Sequence, residues 1–144
     1  MPVVYKFERT ANYYETDRMD VVHHSNYIRW FEEARVEFMK AAGCPYDKME
    51  QNGIMMPVLE VNCTYKNSVR FGETVIIHTH ISKFNGFKTE VSYEVYGKDN
   101  GELKACGSST HCFSNTSLKP VRIKNTAPEI YDKFKNALEG TDII

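Results

Sequence analysis

From Tyr27 to Ala41 one apolar stripe runs through the chain, with Tyr27, Phe31, Ala34, Phe38 and Ala41 spaced at four, three, four and three. Arg29, Glu32, Glu33 and Lys40 fall elsewhere on the wheel, so the run predicts an amphipathic helix. Ser25 or Asn26 can cap its start, Gly43 can leave it in a left-handed conformation, and Pro45 discourages continuation. At about 1.5 Å per residue the helix spans roughly 25 Å, the width of a small domain. It has to lie along a core, and the rest of the chain has to cover it.

The covering segments have a different period. Val3, Tyr5 and Phe7 alternate with Val4 and Lys6, as in a half-buried strand. Leu59, Val61, Cys63 and Tyr65 alternate with Glu60, Asn62, Thr64 and Lys66, which predicts a strand with one wet face. Two more alternating runs flank Asn85-Gly86, the strongest short hairpin signal, and Asn100-Gly101 turns into a fifth strand over residues 102–113. Thr126 and Glu129 read as a capping box before Ile130, Phe134 and Leu138, a short closing helix. Sequential hairpins make the sheet mostly antiparallel, and one long helix over its apolar face defines an α+β domain. With 144 residues the chain is sized for a single domain, 1–144. A five-stranded sheet leaves two edges, which invites pairing with a second copy.

Charge narrows the function. Lys plus Arg number 18 against 19 Asp plus Glu, so no net field favours nucleic acid or an anionic membrane. The N-terminal residues lack the apolar stretch of a signal peptide, and no segment approaches the roughly 20 apolar residues that span a bilayer. A cytoplasmic protein is expected. Cys44, Cys63, Cys106 and Cys112 show no paired metal-type spacing and read as reduced, mostly buried thiols.

Residues 13–35 gather acidic groups, two histidines and an Asn-Tyr pair immediately before the helix. A helix start carries unpaired N–H groups and the positive end of the dipole, so amides near His24 and Ser25 could receive an oxyanion beside the Asp17 carboxylate. The same residues are also ordinary turn and cap formers.

Tyr14, Thr16, Asp17, Val21, Val22, Asn26, Tyr27, Trp30, Phe31, Glu32, Ala34 and Arg35 together resemble the signature of hot-dog-fold acyl-CoA thioesterases related to 4-hydroxybenzoyl-CoA thioesterase. The resemblance continues through residues 65–75, 109–113 and 119–123. It implies a five-stranded antiparallel sheet wrapped around the long helix, edge-to-edge homodimers and often tetramers. It also implies hydrolysis of an acyl-CoA or acyl-carrier thioester without metal or redox cofactor, with Asp17 in the catalytic position. Asn26, Tyr27, Met56, Pro57 and Arg70 are the expected substrate-binding residues. The chain departs from the pattern at Asp20, where relatives commonly have Gly; Asp tolerates positive φ and adds a second negative charge near Asp17.

Other polar groups have simpler expectations. His78 and His80 share one strand face, a spacing compatible with a metal but also with polar surface. His23 reads as structural or solvent-facing, and His111 as a satisfied buried histidine. Ser108, Ser109 and Thr110 lack a nucleophile elbow, and Gly107 reads as a site of close packing. Lys119 and Arg122 join Arg70 as cations that could meet phosphates or merely be solvated. The rival functions are a hot-dog hydratase or dehydratase and a non-catalytic acyl-CoA-binding protein.

Overall fold

A computed structural model describes residues 1–140; the last four of the expected 1–144 domain lie outside the described residues. Five strands, β1 (Tyr5–Thr10), β2 (Val58–Tyr65), β3 (Thr74–Phe84), β4 (Lys88–Gly97) and β5 (Leu103–Cys112), form one sheet in the order β1-β3-β4-β5-β2, with every neighbouring pair antiparallel. Helix α1 (Ser25–Ala41) buries its stripe on the inner face, and α2 (Tyr46–Gln51), α3 (Ile123–Thr126) and α4 (Pro128–Glu139) close one end. Among the described residues no helix is long and apolar enough to cross a membrane.

The helix stripe behaves as its spacing predicts except at its end. Tyr27, Phe31, Ala34 and Phe38 are buried, whereas Ala41 is exposed. Trp30, Phe31 and Ala34 pack on Val75, Ile77, Val91, Val95 and Ala105, and the Phe31 ring stacks on Tyr93 at 4.3 Å. Phe38 and Met39 belong to a second cluster with Met49, Ile54, Ile81, Phe113 and Phe134. Arg35 is also buried, because the side chains facing it supply hydroxyls.

Gly107 shows close packing in mid-strand. A Cβ there would stand 2.1 Å from the Asn62 carbonyl oxygen and 3.0 Å from the Phe31 ring, so only hydrogen fits between β5, β2 and α1. At the β3–β4 hairpin Gly86 takes φ 87° but Asn85 does not take positive φ: the Asn85 N–H donates to Lys88 O at 3.1 Å, so the loop is formed by Gly86 and Phe87 rather than by Asn85-Gly86.

Several local expectations are corrected. The residue before α1 is His24, not Ser25 or Asn26, and no side chain caps the first turn. Thr126 forms no capping box: Ala127 precedes α4, and the Thr126 hydroxyl donates back to the Arg122 carbonyl at 3.3 Å. Strand β1 begins at Tyr5 rather than Val3 and runs on to Thr10. Of the cysteines only Cys44 is buried, and burial pushes its thiol up to about 12. Strand β2 is mostly exposed; Val58 and Leu59 are each 52% exposed and Tyr65 is 47% exposed on this edge strand, and only Cys63 is partly buried against the core.

Candidate active site

The segment ahead of α1 is a small hairpin. Thr16 and Val22 bridge antiparallel, the Asp17 N–H donates to Val21 O at 2.9 Å, and the His23 N–H donates to Glu15 O at 2.8 Å. Asp20 closes the tip with φ 64°, a left-handed conformation that Asp adopts more readily than most side chains. Its N–H donates to Asp17 O at 3.0 Å. Asp20 thus accommodates the positive φ that the turn requires.

Two anchors fix this hairpin. Val22 N–H donates to Val69 O at 2.7 Å, tying it to the segment before β3. The second anchor is Glu15, 4% exposed, whose carboxylate accepts from both terminal nitrogens of Arg9 (3.0 and 2.9 Å), the Asn12 N–H (2.8 Å) and the Trp30 indole (2.9 Å). Burial opposes charge on Glu15, but the Asn12, Trp30 and Arg9 donors outweigh it and hold the carboxyl below its ordinary range. Sequence reasoning missed Glu15. Its only signal is a position three residues after Asn12, where it completes a capping box for the short turn Tyr13–Glu15.

Asp17, Met19, Val21, Val22, His24, Tyr27, Tyr65, Lys66, Asn67 and Ser68 line an open cleft of about 260 Å³ at the start of α1. Asp17 Oδ1 accepts the Met19 N–H at 2.8 Å, while Oδ2 has no hydrogen bond among the described residues. The His24 N–H likewise has no acceptor among them, although its carbonyl accepts the Tyr65 hydroxyl at 3.2 Å. The Ser25 N–H is already turned to His23 Nδ1 at 3.2 Å. One carboxylate oxygen and one amide thus remain free on residues bordering one space. Tyr27 and Tyr65, with rings 5.1 Å apart, form the aromatic part of its wall beside Met19, Val21 and Val22.

The other expected site residues lie elsewhere. Asn26 donates to the carbonyls of Glu15 (2.9 Å) and His23 (3.3 Å), which fastens the hairpin to the helix, and with Ser25 it borders a separate cavity beside Arg9 and Arg29. Met56 packs in the cluster around the second half of α1, and neither Met56, Pro57 nor Arg70 lines the Asp17 cleft. Arg70 and Lys119 are exposed, and Arg122 stands over the Phe87 ring at 4.2 Å. His78 is on the outer sheet face with its ring 4.8 Å from that of Tyr96.

A second polar constellation sits mid-helix. Arg35 donates to Tyr46 (2.7 Å) and Tyr93 (3.0 Å) hydroxyls, Tyr93 shares a 2.7 Å bond with Ser109, and Ser109 lies 2.7 Å from His111 Nε2. His111 Nδ1 faces Met56 O at 3.4 Å. Burial first, and then the Arg35 charge, push His111 down to about 4, so it is neutral at physiological pH.

A curved five-stranded antiparallel sheet around one long helix is the hot-dog fold. Residues 12–138 match the thioesterase-like superfamily, and the chain belongs to it. It is 37% identical to Bacillus subtilis YneP, provisionally named an acyl-CoA thioesterase, over 93% of this chain and 97% of that one. The DHNA-CoA thioesterase of Staphylococcus aureus superposes with a TM-score of 0.89 at 30% identity, covering 99% of this chain and 97% of that structure. A second Staphylococcus aureus protein, solved in complex with CoA, shares the fold at 16% identity with a TM-score of 0.80, covering 94% of this chain and 87% of that one.

Proposed function

We propose that this protein hydrolyses acyl-CoA thioesters at the Asp17 cleft. The observation that carries the reading is the pair of uncommitted groups bordering it: Asp17 Oδ2 and the His24 N–H. The amide meets the oxyanion that forms when the thioester carbonyl is attacked, at the helix end where the dipole favours negative charge. Where the carboxylate takes a proton from the attacking water, C–S cleavage gives free acid and CoA thiol at once. Where it attacks the carbonyl carbon itself, C–S cleavage releases the thiol and leaves an acyl anhydride on Asp17, which water then opens to the free acid. The aromatic wall of Tyr27 and Tyr65 suits an acyl group of modest size, and the relative named for DHNA-CoA makes aromatic acyl-CoAs the first substrates to try. An acyl-carrier thioester presents the same bond and is the alternative donor.

The working unit is a homodimer in the cytoplasm, with or without further assembly to a tetramer. Val58, Leu59, Val61 and Tyr65 on the β2 edge expose apolar side chains next to unpaired backbone groups, a surface suited to the same strand of a second copy. Release of free thiol from a panel of aromatic and aliphatic acyl-CoAs is the test. Saturable binding without thiol release from any of them would favour a carrier role, and water addition to an enoyl-CoA would favour a hydratase. A single turnover in ¹⁸O-labelled water that leaves label in the Asp17 carboxylate establishes direct attack, with water opening the anhydride at the Asp17 carbonyl; label in the product alone fits water attack at the acyl carbonyl by either route.

A further inference from the structure

The wall of the cleft opposite the hairpin is built from Lys66, Asn67 and Ser68, exposed residues between β2 and β3. Such a segment has few contacts of its own, yet every anchor it has leads to the first two residues of β5. The Lys104 carbonyl accepts the N–H groups of Lys66 (2.8 Å) and Asn67 (3.1 Å), and the Asn67 side chain donates to Leu103 O at 2.8 Å. The Lys104 ammonium, on a residue only 5% exposed, donates to Ser68 O at 3.1 Å. It also pairs with Glu73 and Glu102, each at 2.9 Å.

Glu73 extends the clamp. Its second oxygen accepts the Arg70 N–H at 3.2 Å, and its carbonyl accepts the Ala11 N–H at 2.9 Å. Val69, enclosed between Ser68 and Arg70, is the residue whose carbonyl holds Val22 of the Asp17 hairpin. The β5 backbone thus holds Lys66 and Asn67, while the buried Lys104 ammonium holds Ser68, the end of the wall, and through Glu73 the strut beneath it. Gly97 leaves space for this arrangement, since a Cβ there would lie 3.1 Å from the Lys104 side chain. A neutral side chain would leave two carboxylates and a carbonyl without their donor.

We propose that Lys104 is a positioning residue that sets the width of the Asp17 cleft and hence its fit to the acyl-CoA. The inference rests on the Asp17 cleft being the site of hydrolysis. Lys104→Met keeps the aliphatic stem and removes the charge. It should raise KM about tenfold while kcat per folded molecule changes about twofold or less, because the wall shapes binding and does not touch the reacting bond. Lys104→Ala should show the same rise and recover part of the KM loss in ethylammonium, but not in tetramethylammonium of equal ionic strength. If Lys104→Met does not fold, Glu73→Gln loosens the same clamp from its more exposed side and is judged by the same KM criterion. An active wild type that depends on Asp17, combined with unchanged KM in whichever of these variants folds, overturns the inference alone. Absence of thiol release from the wild type overturns the reading of the cleft instead.

Discussion

Two polar clusters meet helix α1, one at its tip and one at its middle, and chemistry is expected at only one of them. At the middle, Ser109 and His111 stand 2.7 Å apart, the distance of a nucleophile and its base. Both are sealed, at 1% and 0% exposure, and the surrounding hydroxyls and the Met56 carbonyl consume their bonding capacity. At the tip, Asp17 is half-buried, one of its oxygens is spent on the turn, and the other is left over in an open cleft. Distance alone favours the sealed pair as a catalytic dyad; accessibility and unspent hydrogen bonds favour the carboxylate. The cluster whose bonds are fully used contributes to the fold, and the one held by its backbone with groups to spare is available for a substrate.

Exchange of function between the clusters is the sharpest test. Asp17→Asn should lower kcat/KM by about a thousandfold or more with the melting temperature little changed, since the Asn side chain can still accept the Met19 N–H. Ser109→Ala should do the reverse, costing on the order of 1–3 kcal/mol in denaturant unfolding while kcat/KM of the folded enzyme stays near that of the parent. Retention of most activity by Asp17→Asn, or its loss in stably folded Ser109→Ala, would invert the comparison.

Gly107→Ala tests how tightly the sealed region is built. The new methyl would meet the Asn62 carbonyl, and unfolding should be easier by about 2–3 kcal/mol, measured by urea titration. A neutral result would mean that β2 moves freely away from β5.

The interior histidine makes a prediction in pH. His111 titrates near 4 in the folded protein against about 6.5 in the unfolded chain, so between these values the unfolded state binds the extra proton. Stability is complete above pH 6.5 and falls as pH drops toward 4, by up to about 1.4 kcal/mol per pH unit from this group. Urea midpoints across that window, compared with His111→Gln, isolate the contribution. The smallest effect is expected at the tip, where Asp20→Gly relieves a left-handed non-glycine residue: stability should change by about 1 kcal/mol or less, and kcat/KM should hold within about threefold.

Local pattern carried much of this protein. The four-three spacing through Tyr27, Phe31, Ala34 and Phe38 specifies a helix because those side chains recur on one face, and Asn85-Gly86 marks a hairpin because Gly86 takes positive φ without a steric cost while the Asn85 side chain accepts the Phe87 and Lys88 N–H groups. The motif around Asp17 was legible as well, and so was the prospect of positive φ at Asp20. Caps were less legible: Ser25, Asn26 and Thr126 are all good cap formers, but the Ser25 side chain pairs with the nearby His23 ring, Asn26 with the distant Glu15 carbonyl and Thr126 with the i−4 carbonyl instead. Only the folded chain decided that β2 would be a largely exposed edge, that Arg35 would be buried among hydroxyls, and that Glu15 and Lys104 would each hold one side of the cleft. Periodicity reports contacts a few residues apart, whereas Trp30 lies 15 positions from Glu15, Ser68 36 from Lys104 and Ser109 74 from Arg35. Their meeting depends on the strand order, which no local repeat encodes.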